Sequence, residues 1–245
     1  MKTFLDDLVK HTTMLGLMDR VKVDAREDTV YIEGVTDDHQ VVLKAVLHGT
    51  MPLLHGEFGI PNLPKIQNLL KIEPYKKNCV IEIESRERNG VSSPASLHFE
   101  TTTSEFQNDH RLQTTHVILD EMGRIEIEKM MPKSYEINII PEDNAIDQMK
   151  WQADIADGEK FRCEVEDGDL YFCFGDEATN AGRFKFAEQV GTSYPSEFYW
   201  NTKQVLNILR LEDEMCIQFS QRGIMRITVD SGFAEYTYYL PKQTL

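Results

Sequence analysis

A chain of 245 residues, 41% hydrophobic and 27% charged, has the composition of an ordinary globular protein and excludes a disordered polymer. No apolar run approaches the roughly 18 residues of a membrane span. Asp6 and Asp7 stand where a secretory leader would carry its apolar stretch, so a cytoplasmic chain is expected, or a nuclear one in a eukaryote. The net charge of −15 argues against a polyanionic partner, but it is unevenly spread. Residues 1–118 hold 13 basic against 17 acidic side chains, and residues 134–245 hold 10 against 20. Screening confines each charge to about 8 Å, so a local basic face is compatible with an acidic bulk.

The first predicted element is a helix, because Phe4, Leu5, Leu8, Val9, Thr12 and Leu15 recur at three- and four-residue steps. Strands are expected around Val21-Lys22-Val23-Asp24, Val30-Tyr31-Ile32 and 41–48. A short second helix follows, with Asn62 as its N-cap and Pro64 in its first turn. Strands at 80–84, 95–101 and 111–118 close this first half. Residues 119–133 read as a connector.

The same order then recurs. A helix is expected over 142–157, with Ala145, Ile146, Met149, Ala153 and Ala156 on one stripe, Pro141 before it and Gly158 after it. Phe161, Cys163 and Val165 alternate with charged residues up to Asp167-Gly168, a two-residue hairpin turn. That turn pairs Val165 with Leu170, Cys163 with Phe172 and Phe161 with Phe174, which sets Cys163 and Cys173 on opposite faces and disfavours a disulfide. Further strands are expected at 183–190, 216–220, 225–229 and 235–240, with a helix capped by Asn201 among them.

The two halves align letter by letter at an offset near 140. Lys10 falls on Lys150, Arg20 on Lys160, and Val30-Tyr31-Ile32 on Leu170-Tyr171-Phe172. At a slightly different offset Asn62 meets Asn201 and Lys71 meets Arg210. The chain thus reads as an α+β protein, richer in strand than helix, made of domains 1–118 and 134–245 joined by 119–133, with two helices per domain.

Catalytic signatures are missing. The sequence has no G-x-x-x-x-G-K-[ST], G-x-G-x-x-G or G-x-S-x-G. Asp6-Asp7 and Asp37-Asp38 fall where solvated charge is the expected use, and Tyr199-Trp200 and Tyr238-Tyr239 read as packing at strand ends. The four cysteines make no C-x-x-C pair and the seven histidines no ligand spacing, so buried thiols and no structural zinc are expected. No enzyme and no cofactor are predicted. What does recur is a cation on each helix: Lys10 and Lys150 on the first, Lys71 and Arg210 on the second, with Arg20, Lys160 and Lys203 nearby. Such a set attracts a polyanion without reading its sequence.

The segment LYFCFGDEATNAGRFKF at 170–186, the ending YTYYLPK at 236–242 and Asp37-Asp38-His39 resemble the DNA polymerase sliding clamps of the proliferating-cell-nuclear-antigen type, including their bacteriophage relatives. The ending is similar to that family's Tyr-Tyr-Leu-Ala-Pro-Lys with the alanine absent. The resemblance implies the duplicated DNA-clamp fold, closed by three chains into a ring of pseudo-six-fold symmetry. It also implies that helices line the bore, so the recurring cations would meet duplex DNA. Strand 111–118 of one chain would pair with 183–189 of the next. Implied partners are double-stranded DNA, a DNA polymerase, a clamp loader and the chain itself, in a host cytoplasm if the source is viral. Partner peptides would dock on His39, on Ile125, Ile127, Met130 and Met131 of the connector, and on Tyr239, Leu240 and Pro241. A clamp-like adaptor that closes no ring, or a hydrolase with an acidic site, are the competing readings.

Overall fold

Two compact units share the chain: Met1–Glu126 with Ser231–Tyr236, and Ile127–Asp230 with Thr237–Leu245. The structure, a computed structural model, describes residues 1–26, 28–88, 91–123, 131–156, 158–175, 181–191, 194–195 and 197–243. No helix among the described residues is long and apolar enough to cross a membrane.

The first unit begins as its periodicity dictates. Helix α1 (Lys2–Lys10) buries Phe4, Leu5, Leu8 and Val9 on one stripe. A 3-10 turn (Thr13–Leu15) ends at Gly16 and leads into β1 (Val21–Ala25). β1 lies between β2 (Tyr31–Val35) and β4 (Gly56–Ile60), and β2 pairs with β3 (Val42–Leu47), all antiparallel. Helix α2 (Leu63–Lys71) starts where Asn62 accepts the amide of Lys65 at 3.3 Å, with proline in its first turn. It buries Leu63, Ile66, Leu69 and Leu70 and packs beside α1. A short helix α3 (Glu73–Lys77) follows, its last carbonyls taken by Lys2 Nζ at 3.0 and 2.8 Å. A second sheet has the order β5 (Cys79–Arg88), β6 (Val91–Thr101), β7 (Gln107–Arg111).

In the second unit β8 (Ile137–Ile139) precedes helix α5 (Asp143–Ala156), numbered after α4 (Thr115–Glu121) of the first. The hairpin β9 (Lys160–Glu166) and β10 (Asp169–Phe174) has the register read from the sequence: Leu170 opposite Val165, Phe172 opposite Cys163, Phe174 opposite Phe161. Asp167 and Gly168 both take positive φ, at 52° and 87°, the geometry of a type I′ turn. β11 (Gly182–Ala187) pairs with β10, and β12 (Tyr199–Asn201) with β9. Asn201 caps helix α6 (Thr202–Leu209) by accepting the amide of Gln204 at 3.0 Å. The other sheet joins β8 to β13 (Glu214–Ser220) and β13 to β14 (Ile224–Asp230). The last strand, β15 (Ala234–Pro241), is divided between the units at residue 237. Aromatic rings fill this core: Phe161, Phe172, Phe174, Trp200 and Phe219 are fully buried.

One expected strand is replaced by a helix. Residues 111–118 are not a strand: β7 ends at Arg111, and Thr115–Glu121 form α4. The β-branched residues Thr114, Thr115, Val117 and Ile118 read as strand, but Ile118 and Met122 are the buried pair, and four residues apart is helical spacing. Ile118 lies so close over Gly59 that a Cβ there would meet it at 2.5 Å. The helix also takes in Leu119, Asp120 and Glu121, assigned above to the connector. The first unit therefore has two short helices, α3 and α4, beyond the two expected. Among the described residues the second unit has two helices, α5 and α6.

Candidate nucleic-acid interface and docking residues

Each unit sets its two main helices side by side and turns their polar faces outward. In the first, Lys71 is exposed at the end of α2 and Lys10 is half-buried at the end of α1. Both stand in a last turn, where the helix dipole alone favours a cation. Lys65, Lys76 and Lys77 are exposed on α2 and α3 and extend this basic character; the repeat gave no sign of them, because no counterpart stands in the second half.

In the second unit α5 packs on α6. Lys150 is exposed on α5, Lys203 in the first turn of α6, and Arg210 at its C-cap. Lys203 and Arg210 line a groove of about 610 Å³ with Ala153, Asp154, Leu206 and Asn207. The outer face of α5 is not basic: Asp143, Asp147 and Asp154 are exposed around Lys150. It also exposes Trp151 at 56% and Ile155 at 69%. Sequence reasoning missed that pair, although two large apolar residues at an i, i+4 spacing off the buried stripe of Ala145 and Met149 were there to find.

Two of the cations differ from the rest. Arg20 lies between the 3-10 turn and β1, and three carboxylates hold it: Asp19 at 2.7 Å, Glu121 at 3.1 Å and Asp37 at 3.9 Å. The hydrogen bond to Asp19 binds its proton more tightly than usual, against a smaller effect of burial. A phosphate would have to displace those acids. Lys160 opens β9 and is half-buried.

Of the docking residues, His39 is presented by its own turn. The buried Thr36 hydroxyl donates to Asp38 Oδ1 at 2.6 Å and accepts the amides of Gln40 at 3.1 Å and Val41 at 3.0 Å. This fixes the bend in which His39 takes φ 56°. Gly123 passes so close that a Cβ there would meet the His39 ring at 2.6 Å, and its own φ of 81° excludes most side chains. Met131 and Pro241 are half-buried. Tyr239 and Leu240 are buried at 8% and 2% exposure, so they are core side chains with almost no surface to offer a partner. Ile125, Ile127 and Met130 lie outside the described residues.

No protein-family model matches the sequence, and neither does any curated protein. Solved structures do match. PCNA from Thermococcus kodakaraensis is 11% identical and superposes with a TM-score of 0.70 over 99% of this chain and 97% of its own. PCNA from A. fulgidus, solved with the C-terminal region of FEN-1 bound, is 11% identical with a TM-score of 0.67 over 100% of this chain and 96% of its own. At that identity the likeness is one of fold. The β-rich α+β architecture built from these two units is the PCNA-type sliding-clamp fold.

Proposed function

We propose that this chain is a sliding clamp: three copies close into a ring around duplex DNA and hold a polymerase and other replication enzymes to it. The observation that carries this reading is the superposition on PCNA over nearly the whole of both chains. A fold that repeats one domain twice reaches six domains with three copies, and a closed cyclic assembly pairs sheet edges that a lone chain leaves open. β7 and β11 each stand at the edge of a sheet among the described residues. We assign them to the pairing between copies, β7 taking the place of the 111–118 strand, since the helix begins at Thr115. Lys71, Lys150, Lys203 and Arg210, with Lys10 and Lys160 less exposed, supply weak phosphate contacts. Such contacts are made largely through water, because a clamp that gripped the backbone would not slide. Peptide docking is supported by the FEN-1 segment seen on the A. fulgidus clamp. The role is that of a scaffold, with chemistry left to the bound enzymes.

The acidic outer face of α5 favours a second reading, an adaptor with the clamp fold that encircles nothing. Topology separates the two. Loaded onto a nicked circular duplex, a ring co-elutes with the DNA and is released when one cut linearises it. An adaptor that binds without encircling dissociates equally from circular and linear DNA.

A further inference from the structure

The sheet β5–β6–β7 turns Leu97 and Phe99 into the core and Ser96, His98 and Glu100 to the opposite face. Antiparallel register sets His98 directly across from Asp109 on β7 and from Glu82 on β5, with Glu84 across from Ser96. The His98 Nδ1 stands 2.7 Å from Asp109 Oδ1, and its Nε2 stands 3.8 Å from Glu100 Oε2. The buried Ser96 hydroxyl donates to Glu84 Oε2 at 2.7 Å and so fixes that carboxylate. One ligand atom from each of Glu84, His98 and Asp109 lies within 4.8 Å of the others.

That spacing suits an ion. Metal–N and metal–O bonds of about 2.0–2.2 Å place ligand atoms about 3 Å apart at right angles and about 4.2 Å apart across the ion. Rotation of the exposed Glu84 and Asp109 side chains brings their oxygens from within 4.8 Å to those separations. An ordinary ion pair explains His98 with Asp109 but not the third carboxylate, Glu84, which Ser96 holds within reach of both. It also leaves four carboxylates, Glu82, Glu84, Glu100 and Asp109, around one imidazole, with Arg111 the neighbouring cation on that face of β7. A divalent ion offsets this excess better than a single proton on the ring.

We propose that this face binds one divalent first-row transition ion, of the Zn²⁺ or Mn²⁺ kind, through the imidazole of His98 and the carboxylates of Asp109 and Glu84. One imidazole with two carboxylates selects these ions over Mg²⁺ and Ca²⁺, which prefer all-oxygen sites. The ring nitrogen that does not ligate can donate its N–H to a neighbouring carboxylate, Glu100 if ligation is through Nδ1, the arrangement common behind metal-bound histidines. Ligation uses the neutral form of the imidazole. Because the three ligands come one from each strand, the ion joins the edge strand β7 to both of its neighbours.

The test is equilibrium dialysis of the full-length chain, stripped with a chelator, against Zn²⁺. Wild type is expected to bind an ion that His98→Ala and Asp109→Asn each weaken by at least about tenfold. His116→Ala, which alters the exposed His116–Asp120 pair on α4, should leave that binding unchanged. Both site variants should keep the wild-type circular dichroism spectrum; if one misfolds, the other still decides. No saturable ion in wild type, or binding equal to wild type in a folded site variant, overturns the proposal.

Discussion

The indole Nε1 of Trp200 donates to the backbone carbonyl of Leu240 at 3.1 Å, tying the centre of the second unit to its last strand. Trp200 is fully buried, with Phe219 at 5.7 Å and Phe161 at 6.0 Å between ring centroids. Trp200→Phe should therefore destabilise the unit by about 2–4 kcal/mol, from the unpaired carbonyl and the cavity together. Urea unfolding followed by near-ultraviolet circular dichroism measures this; an unchanged midpoint would show that the bond contributes little.

The burial of Tyr239 and Leu240 changes what substitution there reports. Tyr239→Ala should lower stability by about 3–5 kcal/mol, as for a large core aromatic, so that any loss of partner binding there follows from the fold. His39→Ala and Pro241→Ala, made separately at less buried positions, should leave stability near wild type. Each should weaken a polymerase C-terminal peptide by about 1–3 kcal/mol, as truncated anchors do. Calorimetry showing wild-type affinity in both would remove these residues from the docking surface.

All four cysteines are free, and burial pushes each thiol above its ordinary pKa, Cys163 furthest. The thiolate is the reactive form, so at pH 8 the folded chain should react slowly with a disulfide reagent, Cys163 last. In denaturant all four should titrate at once. Fast labelling of Cys163 in the folded chain would contradict its burial.

Reversing Lys71 and Arg210 to glutamate places wrong-sign groups on both helix pairs. Loading on DNA and processive synthesis should fall, while assembly and peptide binding stay near wild type. The α5 face adds a converse. Asp147→Asn with Asp154→Asn should strengthen DNA association and steepen its salt dependence if that face meets phosphate. Processivity indifferent to the double reversal, at low and moderate salt alike, would mean that these helices do not face DNA.

Much of this fold is legible because its cues are local. Asp167-Gly168 sets the β9–β10 register, and Asn62 and Asn201 mark their helices by accepting amides three residues on. Cues that depend on distant contacts are not legible. The helix at 115–121 is chosen by Ile118 packing on Gly59, which no window around 118 contains. The buried hydrogen bond from Trp200 to the carbonyl of Leu240 likewise joins residues forty apart. Glu84, His98 and Asp109 have no ligand spacing in the sequence, because three strands bring them together only once folded. The recurrence of single cations along the chain does not show that acids and Trp151 share the α5 face with Lys150, because that depends on which residues the helix turns outward.

The ring itself is tested most directly by mass. Sedimentation equilibrium of the untagged chain at micromolar concentration should give three times the 28.3 kDa of one chain. Substituting proline at Asp109 in β7, an edge strand in which the Asp109 N–H faces away from β6, should shift that mass toward the monomer while leaving each unit folded. A wild-type mass of 28.3 kDa at every concentration tested would contradict the ring.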